Sequence, residues 1–140
     1  MKLNIDVLIN FLELLETYVS SIENSINLIE NQEFDDLIIS FQQESKIFND
    51  VEKNLEMIIS NKKEFDLLLQ RERKFKKKWN EKYSLLKNKI EKLTEKRIFL
   101  LKNVQKDIKN KLVKLGLNRS YLKKYKVLNP RNSQFIDKKL

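Results

Sequence analysis

The chain has 140 residues, enough for one domain, with a net charge of +9 and neither histidine nor cysteine. Those two absences exclude the usual general base at neutral pH, thiol nucleophiles, thiolate zinc sites and disulfides. No segment approaches the roughly 20 apolar residues that cross a bilayer, and Asn4, Asp6, Asn10 and Glu13 interrupt any signal-peptide core, so the expected location is the cytoplasm.

Gly116 and Pro130 are the only glycine and proline, so nothing from Met1 to Leu115 is a natural helix breaker. Ile5, Leu8, Leu12, Leu15, Val19, Ile22, Ile26 and Ile29 recur at steps of three and four, the spacing of a helix seam. The first helix is expected from Ile5 to about Glu30, with Asn4 as N-cap and Leu3 and Leu8 as a hydrophobic staple. Phe11 and Tyr18 widen its stripe, which implies two neighbouring helices. Asn31 and Gln32 read as a turn. Glu33, Asp35 and Asp36 then open a second helix at its dipole-favoured end, and Leu37, Phe41, Phe48, Val51, Leu55 and Ile58 carry it to about Ser60. So short a turn predicts an antiparallel hairpin.

Asn61 and Glu64 resemble a capping box for a third helix, whose stripe reads Phe65, Leu68, Phe75, Trp79, Tyr83, Leu86, Ile90, Leu93, Leu100, Val104, Ile108, Leu112 or Leu115. The four-residue steps around Trp79 shift the repeat and predict a local change of supercoil or a bend. Gly116 suits the left-handed position after a helix end. An unbroken third helix would span roughly 80 Å against roughly 40 Å for each hairpin arm, so half of it would lie bare. The competing geometry is a break near Asn80 that folds the chain back into a four-helix bundle. The expected fold is all-α: a hairpin plus a long third helix, an elongated three- or four-helix bundle or coiled coil over residues 1–115. Residues 116–140 then form a short helix and a flexible basic tail.

The bare half of the third helix is the expected partner surface, because exposed apolar stripes mark interfaces. Its residues are Leu93, Phe99, Leu100, Val104, Ile108, Leu112 and Leu115. Phe99 is the expected exposed anchor, since Ile98, Phe99, Leu100 and Leu101 cannot all face one seam. Tyr121, Leu122 and Tyr125 would be a mobile cover.

Charge is divided along the chain. Residues 1–70 carry 5 Lys against 14 Asp and Glu, and residues 71–140 hold the other 24 Lys and Arg against 6 acids. The two halves can therefore fold together with complementary fields. The cluster Arg71, Arg73, Lys74, Lys76, Lys77 and Lys78 beside Trp79 could meet phosphates and stack a base. Trp79 falls on the packing stripe, however, which argues for a core role and against nucleic acid. Membrane insertion is not expected, because the stripe is the narrow kind used between helices. Glu13/Glu16, Asp35/Asp36 and Glu52/Glu56 have no convergent partner groups and read as solvated faces or a helix start. No enzyme, cofactor or metal is expected, and a homodimer is a possible assembly.

The runs Leu12-Glu13-Leu14-Leu15-Glu16 and Asn31-Gln32-Glu33-Phe34-Asp35, followed by Leu37, Phe41 and Phe48, resemble the opening hairpin of flagellar type III export chaperones of the FlgN/FliT type. The tail Tyr125-Lys126-Val127-Leu128-Asn129-Pro130, with Phe135-Ile136-Asp137-Lys138-Lys139, is similar to the FliT-like ending. The resemblance implies a small cytoplasmic helical chaperone. It would hold a terminal amphipathic helix of a filament cap or hook–filament junction protein, prevent premature assembly and deliver the cargo to the export apparatus. Recognition would be helix-in-groove, without ATP or metal. The alternatives are a structural coiled-coil homodimer or adaptor and, more remotely, a basic nucleic-acid-binding protein.

Overall fold

The computed structural model describes residues 3–115, and their regular elements are α1 (Ile5–Glu30), α2 (Phe34–Ser60), α3 (Lys62–Arg71) and α4 (Arg73–Lys114). The all-α expectation holds, with the hairpin and a long helix after it.

The first helix starts where its capping residue dictates. Asn4 is extended (φ −139°, ψ 174°), and its Oδ1 accepts the Val7 N–H at 2.9 Å, satisfying one of the free amides of the first turn. Ten of the 26 residues of α1 are buried against six of 42 in α4, because α1 lies between α2 and α4. Phe11 stacks on Tyr83 of α4 and Tyr18 packs on Phe48 of α2, so the two aromatic residues beside its stripe serve two neighbours.

The hairpin turn is a Schellman motif. The Gln32 N–H donates to the Ile29 carbonyl at 3.1 Å and the Glu33 N–H to the Leu28 carbonyl at 2.9 Å, while Gln32 sits at φ 59°. That left-handed position normally goes to glycine, since a Cβ there meets the following carbonyl. Gln32→Gly is expected to raise stability by about 1 kcal/mol and the melting temperature by a few degrees, read by thermal unfolding.

The chain leaves α2 differently from the capping-box expectation. Asn61 makes no side-chain cap for α3. Its Nδ2 donates instead to the Met57 carbonyl at 2.8 Å, closing the end of α2. Glu64 is also turned elsewhere: its Oε2 accepts the Leu3 N–H at 3.5 Å, tying α3 to the start of α1. The ten-residue α3 tucks Leu69 into the core, with Phe65 and Leu68 half-buried beside it.

The third helix is neither unbroken nor broken at Asn80. It stops at Glu72 (φ −113°, ψ 70°) and restarts at Arg73. Residues 70–74 are Gln-Arg-Glu-Arg-Lys and all are exposed, so no apolar contact holds the helix straight through them. Breaking there lets Leu69 and Phe75 both reach the core. Asn80 lies inside α4, and among the described residues no fourth long helix folds back.

From the break, α4 runs parallel to α1. Trp79 lies against Leu8, whose carbonyl accepts its Nε1–H at 3.3 Å, and Arg97 meets Ser25 further along. Lys82–Glu16 and Lys96–Glu30 pairs line the same interface, as the divided charge suggests. Both pairs are about half exposed, so they guide the pairing more than they stabilise it. The main core extends from Leu8 and Trp79 to Ile26 and Ile90. A second cluster of Ile29, Leu37 and Leu101, flanked by Phe34, Phe41 and Val104, seals the hairpin end.

Candidate functional site

The turn at residues 31–33 follows Ile29, which packs on Leu101, so α4 passes the turn near Val104. It then continues to Lys114, roughly 15 Å beyond the last hairpin cover at 1.5 Å per residue. Along this overhang Ile108, Leu112 and Leu115 keep the steps of four and three that continue the buried seam of Arg97, Leu101 and Val104. Neither core cluster includes them. Ile108 and Leu112 are half-buried and Leu115 is 70% exposed.

The overhang is smaller than the bare half-helix expected from the sequence. Leu93 packs against the main cluster, Leu100 against both clusters and Val104 against the second, so these three belong to the chain's own core. The break at Glu72 is the reason. Residues 61–72 are spent beneath the base of the hairpin, and the hairpin then covers α4 from Trp79 to about Val104.

Phe99 is 64% exposed but stands apart from the stripe. Nine residues at 100° each place it about 180° around the helix from Ile108. One docked helix cannot touch both. Phe99 instead shares an outer ridge with Leu85 and Val113, each 14 residues away and each exposed, with Lys92 and Lys106 between them. Tyr121, Leu122 and Tyr125, together with Gly116, lie outside the described residues.

The basic cluster resolves clearly. Arg71, Arg73, Lys74, Lys76, Lys77 and Lys78 are all exposed, whereas Trp79 is 6% exposed. The indole lies parallel to the Tyr83 ring at 4.9 Å between centroids and edge-on to Phe65 at 5.4 Å. It has no free face for a nucleobase. Burial pushes the Tyr83 hydroxyl up to about 12, so it stays neutral across physiological pH.

A buried polar knot is the feature that sequence reading passed over. Arg97 is wholly buried. Its Nη1 donates to Glu44 Oε1 at 2.5 Å and to Ser25 Oγ at 2.9 Å, and its guanidinium carbon lies 5.3 Å from the Phe41 ring centre. The knot joins all three long helices. It is built for cohesion: the arginine is already neutralised by Glu44 and closed from solvent, so it has no route to an outside anion. A signal did exist in the sequence, since Glu44 falls on the stripe between Phe41 and Phe48, and Arg97 falls seven residues from both Ile90 and Val104.

Among the described residues no group of three or more acidic, histidine or cysteine side chains is placed to hold a metal ion. No described helix is long and apolar enough to cross a membrane. An open cleft of about 190 Å³ beside Leu3, Glu64, Leu67 and Arg71 is smaller than the roughly 300–1,000 Å³ of ordinary ligand sites. The overhang stripe of α4 is therefore the candidate site, and what it offers is helix packing. Compared with family models, curated proteins and solved structures, the chain matches none.

Proposed function

We propose that this chain is a non-enzymatic, cytoplasmic export chaperone of the FlgN/FliT type. Its cargo would be a terminal amphipathic helix of a filament cap or hook–filament junction protein, handed on to the flagellar export apparatus. The observation that carries the reading is the α4 overhang, where a packing seam continues for about 15 Å after its own hairpin has ended. The resemblance of the opening hairpin and of residues 125–139 to that family supplies the biological setting.

A cargo helix would lie end to end with the hairpin, as a continuation of the neighbours that α4 has up to about Val104. Apolar side chains at i, i+4 and i+7 would meet Ile108, Leu112 and Leu115, and the lysines around the stripe favour an acidic cargo helix. Affinity would come from the apolar anchors and orientation from the charges.

The test uses the full chain as bait against purified cap and hook–filament junction proteins. Ile108→Asp with Leu115→Asp should reduce capture by at least tenfold while leaving helical content unchanged, because both positions lie beyond the core. Phe99→Asp, on the opposite face, should leave capture within about twofold. Binding to neither cargo class, or capture unaffected by the paired substitution, overturns the reading.

A further inference from the structure

We propose that the overhang is also a self-association surface, on which two copies of the chain pair their α4 ends antiparallel about a two-fold axis near Asn110. The inference does not rest on the chaperone reading. It concerns the occupant of the stripe when no other protein is present.

Three observations carry it. The stripe of Ile108, Leu112 and Leu115 is apolar, lies in neither core cluster and continues a packing seam. Its surroundings are basic: residues 105–115 carry Lys106, Lys109, Lys111 and Lys114 against Asp107 alone. The hairpin end at the foot of the overhang is acidic: past Glu30, which Lys96 pairs, Glu33, Asp35 and Asp36 are all exposed and no cation lies between residues 31 and 36.

Within one chain these charges are poorly matched. Lys111 and Lys114 lie seven and ten residues past Val104, about 10–15 Å along the axis from their own turn. That is at or beyond the screening length of about 8 Å in physiological salt. An antiparallel second copy removes the separation. With the axis near Asn110, Ile108 of one copy meets Leu112 of the other, and each Leu115 reaches the level of the partner copy's turn. Lys114 then comes beside the acidic turn instead of pointing into solvent. The interface is isologous and closes at two copies, so it does not propagate into a filament.

Residues 116–140 are the weaker occupant on charge. They carry seven Lys and Arg against one Asp, so laying them on the overhang would place cations against cations. A second copy brings the acidic turn along with the apolar stripe. Because both occupants need Ile108 and Leu112, self-pairing and cargo binding would exclude one another, and dimerisation would lower the apparent cargo affinity by mass action.

The natural absence of cysteine permits a direct test. The expected results are a concentration-dependent shift of the full chain toward twice its single-chain mass in sedimentation, and a disulfide-linked dimer from Lys111→Cys under mild oxidation. Phe99→Cys, on the opposite face, should cross-link at least tenfold more slowly. Ile108→Asp with Leu112→Asp should return the chain to a single mass with its helical content intact. Lys114→Glu should loosen the dimer, and adding Glu33→Lys should restore it. A single-chain mass throughout, cross-linking no faster at residue 111 than at residue 99, or a dimer indifferent to the aspartates, would each overturn the inference. Cargo capture by the aspartate pair is scored separately, so either reading can fail alone.

Discussion

Glu44→Leu is expected to destabilise the fold by about 3–5 kcal/mol, the cost of leaving a buried charge without its partner. Glu44 supplies the only carboxylate paired with Arg97 among the described residues, and Arg97 has no exposed surface through which water could replace it. The lost energy is a large part of the roughly 5–15 kcal/mol that holds a domain together. Changing both partners should behave differently. Glu44→Leu with Arg97→Met removes the uncompensated charge and leaves apolar side chains of similar length between the three helices. Stability should return to the parent value or exceed it by about 1–4 kcal/mol. Urea unfolding of the two single variants and the double variant reads the coupling. Glu44→Leu alone as stable as the parent would mean that Arg97 escapes to solvent in solution.

The knot has a consequence for register as well as for stability. Arg97 reaches Ser25 on α1 and Glu44 on α2 from one position on α4. A slip of α4 by one turn would carry the guanidinium about 5.4 Å from both. Leucine and isoleucine along the rest of the seam would tolerate such a slip far better. The same reasoning fixes where the overhang begins, because the pairing register decides how many residues of α4 extend past residues 31–33.

Trp79→Ala is expected to cost about 3–5 kcal/mol, the range for truncating a large aromatic side chain in a core. The indole contacts Phe65 of α3 and Tyr83 of α4, and it donates to the Leu8 carbonyl of α1. It therefore clamps three elements at the end of the molecule opposite the overhang. Circular dichroism in urea is the suitable readout, since the substitution removes the only tryptophan. Trp79→Phe should cost less, because a ring still fills the space and the main loss is one hydrogen bond worth about 1 kcal/mol. Alanine at 79 without a stability loss would contradict the docking of α4 on Leu8.

Periodicity in the sequence placed α1 and α2 closely because their ends carry local signals. Asn4 caps, Asn31 and Gln32 turn, and the apolar steps between them admit only one face. The same logic marked Ile108, Leu112 and Leu115 as a stripe. It could not place Phe99, because a run of four apolar residues shows that some must face outward without showing which neighbour each one meets. It also gave Asn61 and Glu64 to one another, when a nearby carbonyl and the Leu3 amide satisfy them in the fold. Leu93, Leu100 and Val104 look bare only when the long helix is measured from Asn61. Nothing local at Glu72 announces a break, since Gln-Arg-Glu-Arg-Lys is acceptable in a helix.

By itself, then, the chain of residues determined an all-α architecture, a hairpin with acidic flanks and a basic long helix carrying more seam than it needs. Helical periodicity is a local property, so a linear reading suffices for it. Tertiary structure alone decided the break at Glu72, the burial of Arg97 on Glu44 and the length of the overhang. Each of these depends on which residues lie side by side across helices, above all Trp79 against Leu8. That alignment is settled by packing between elements distant in sequence, not by the propensities of any one of them.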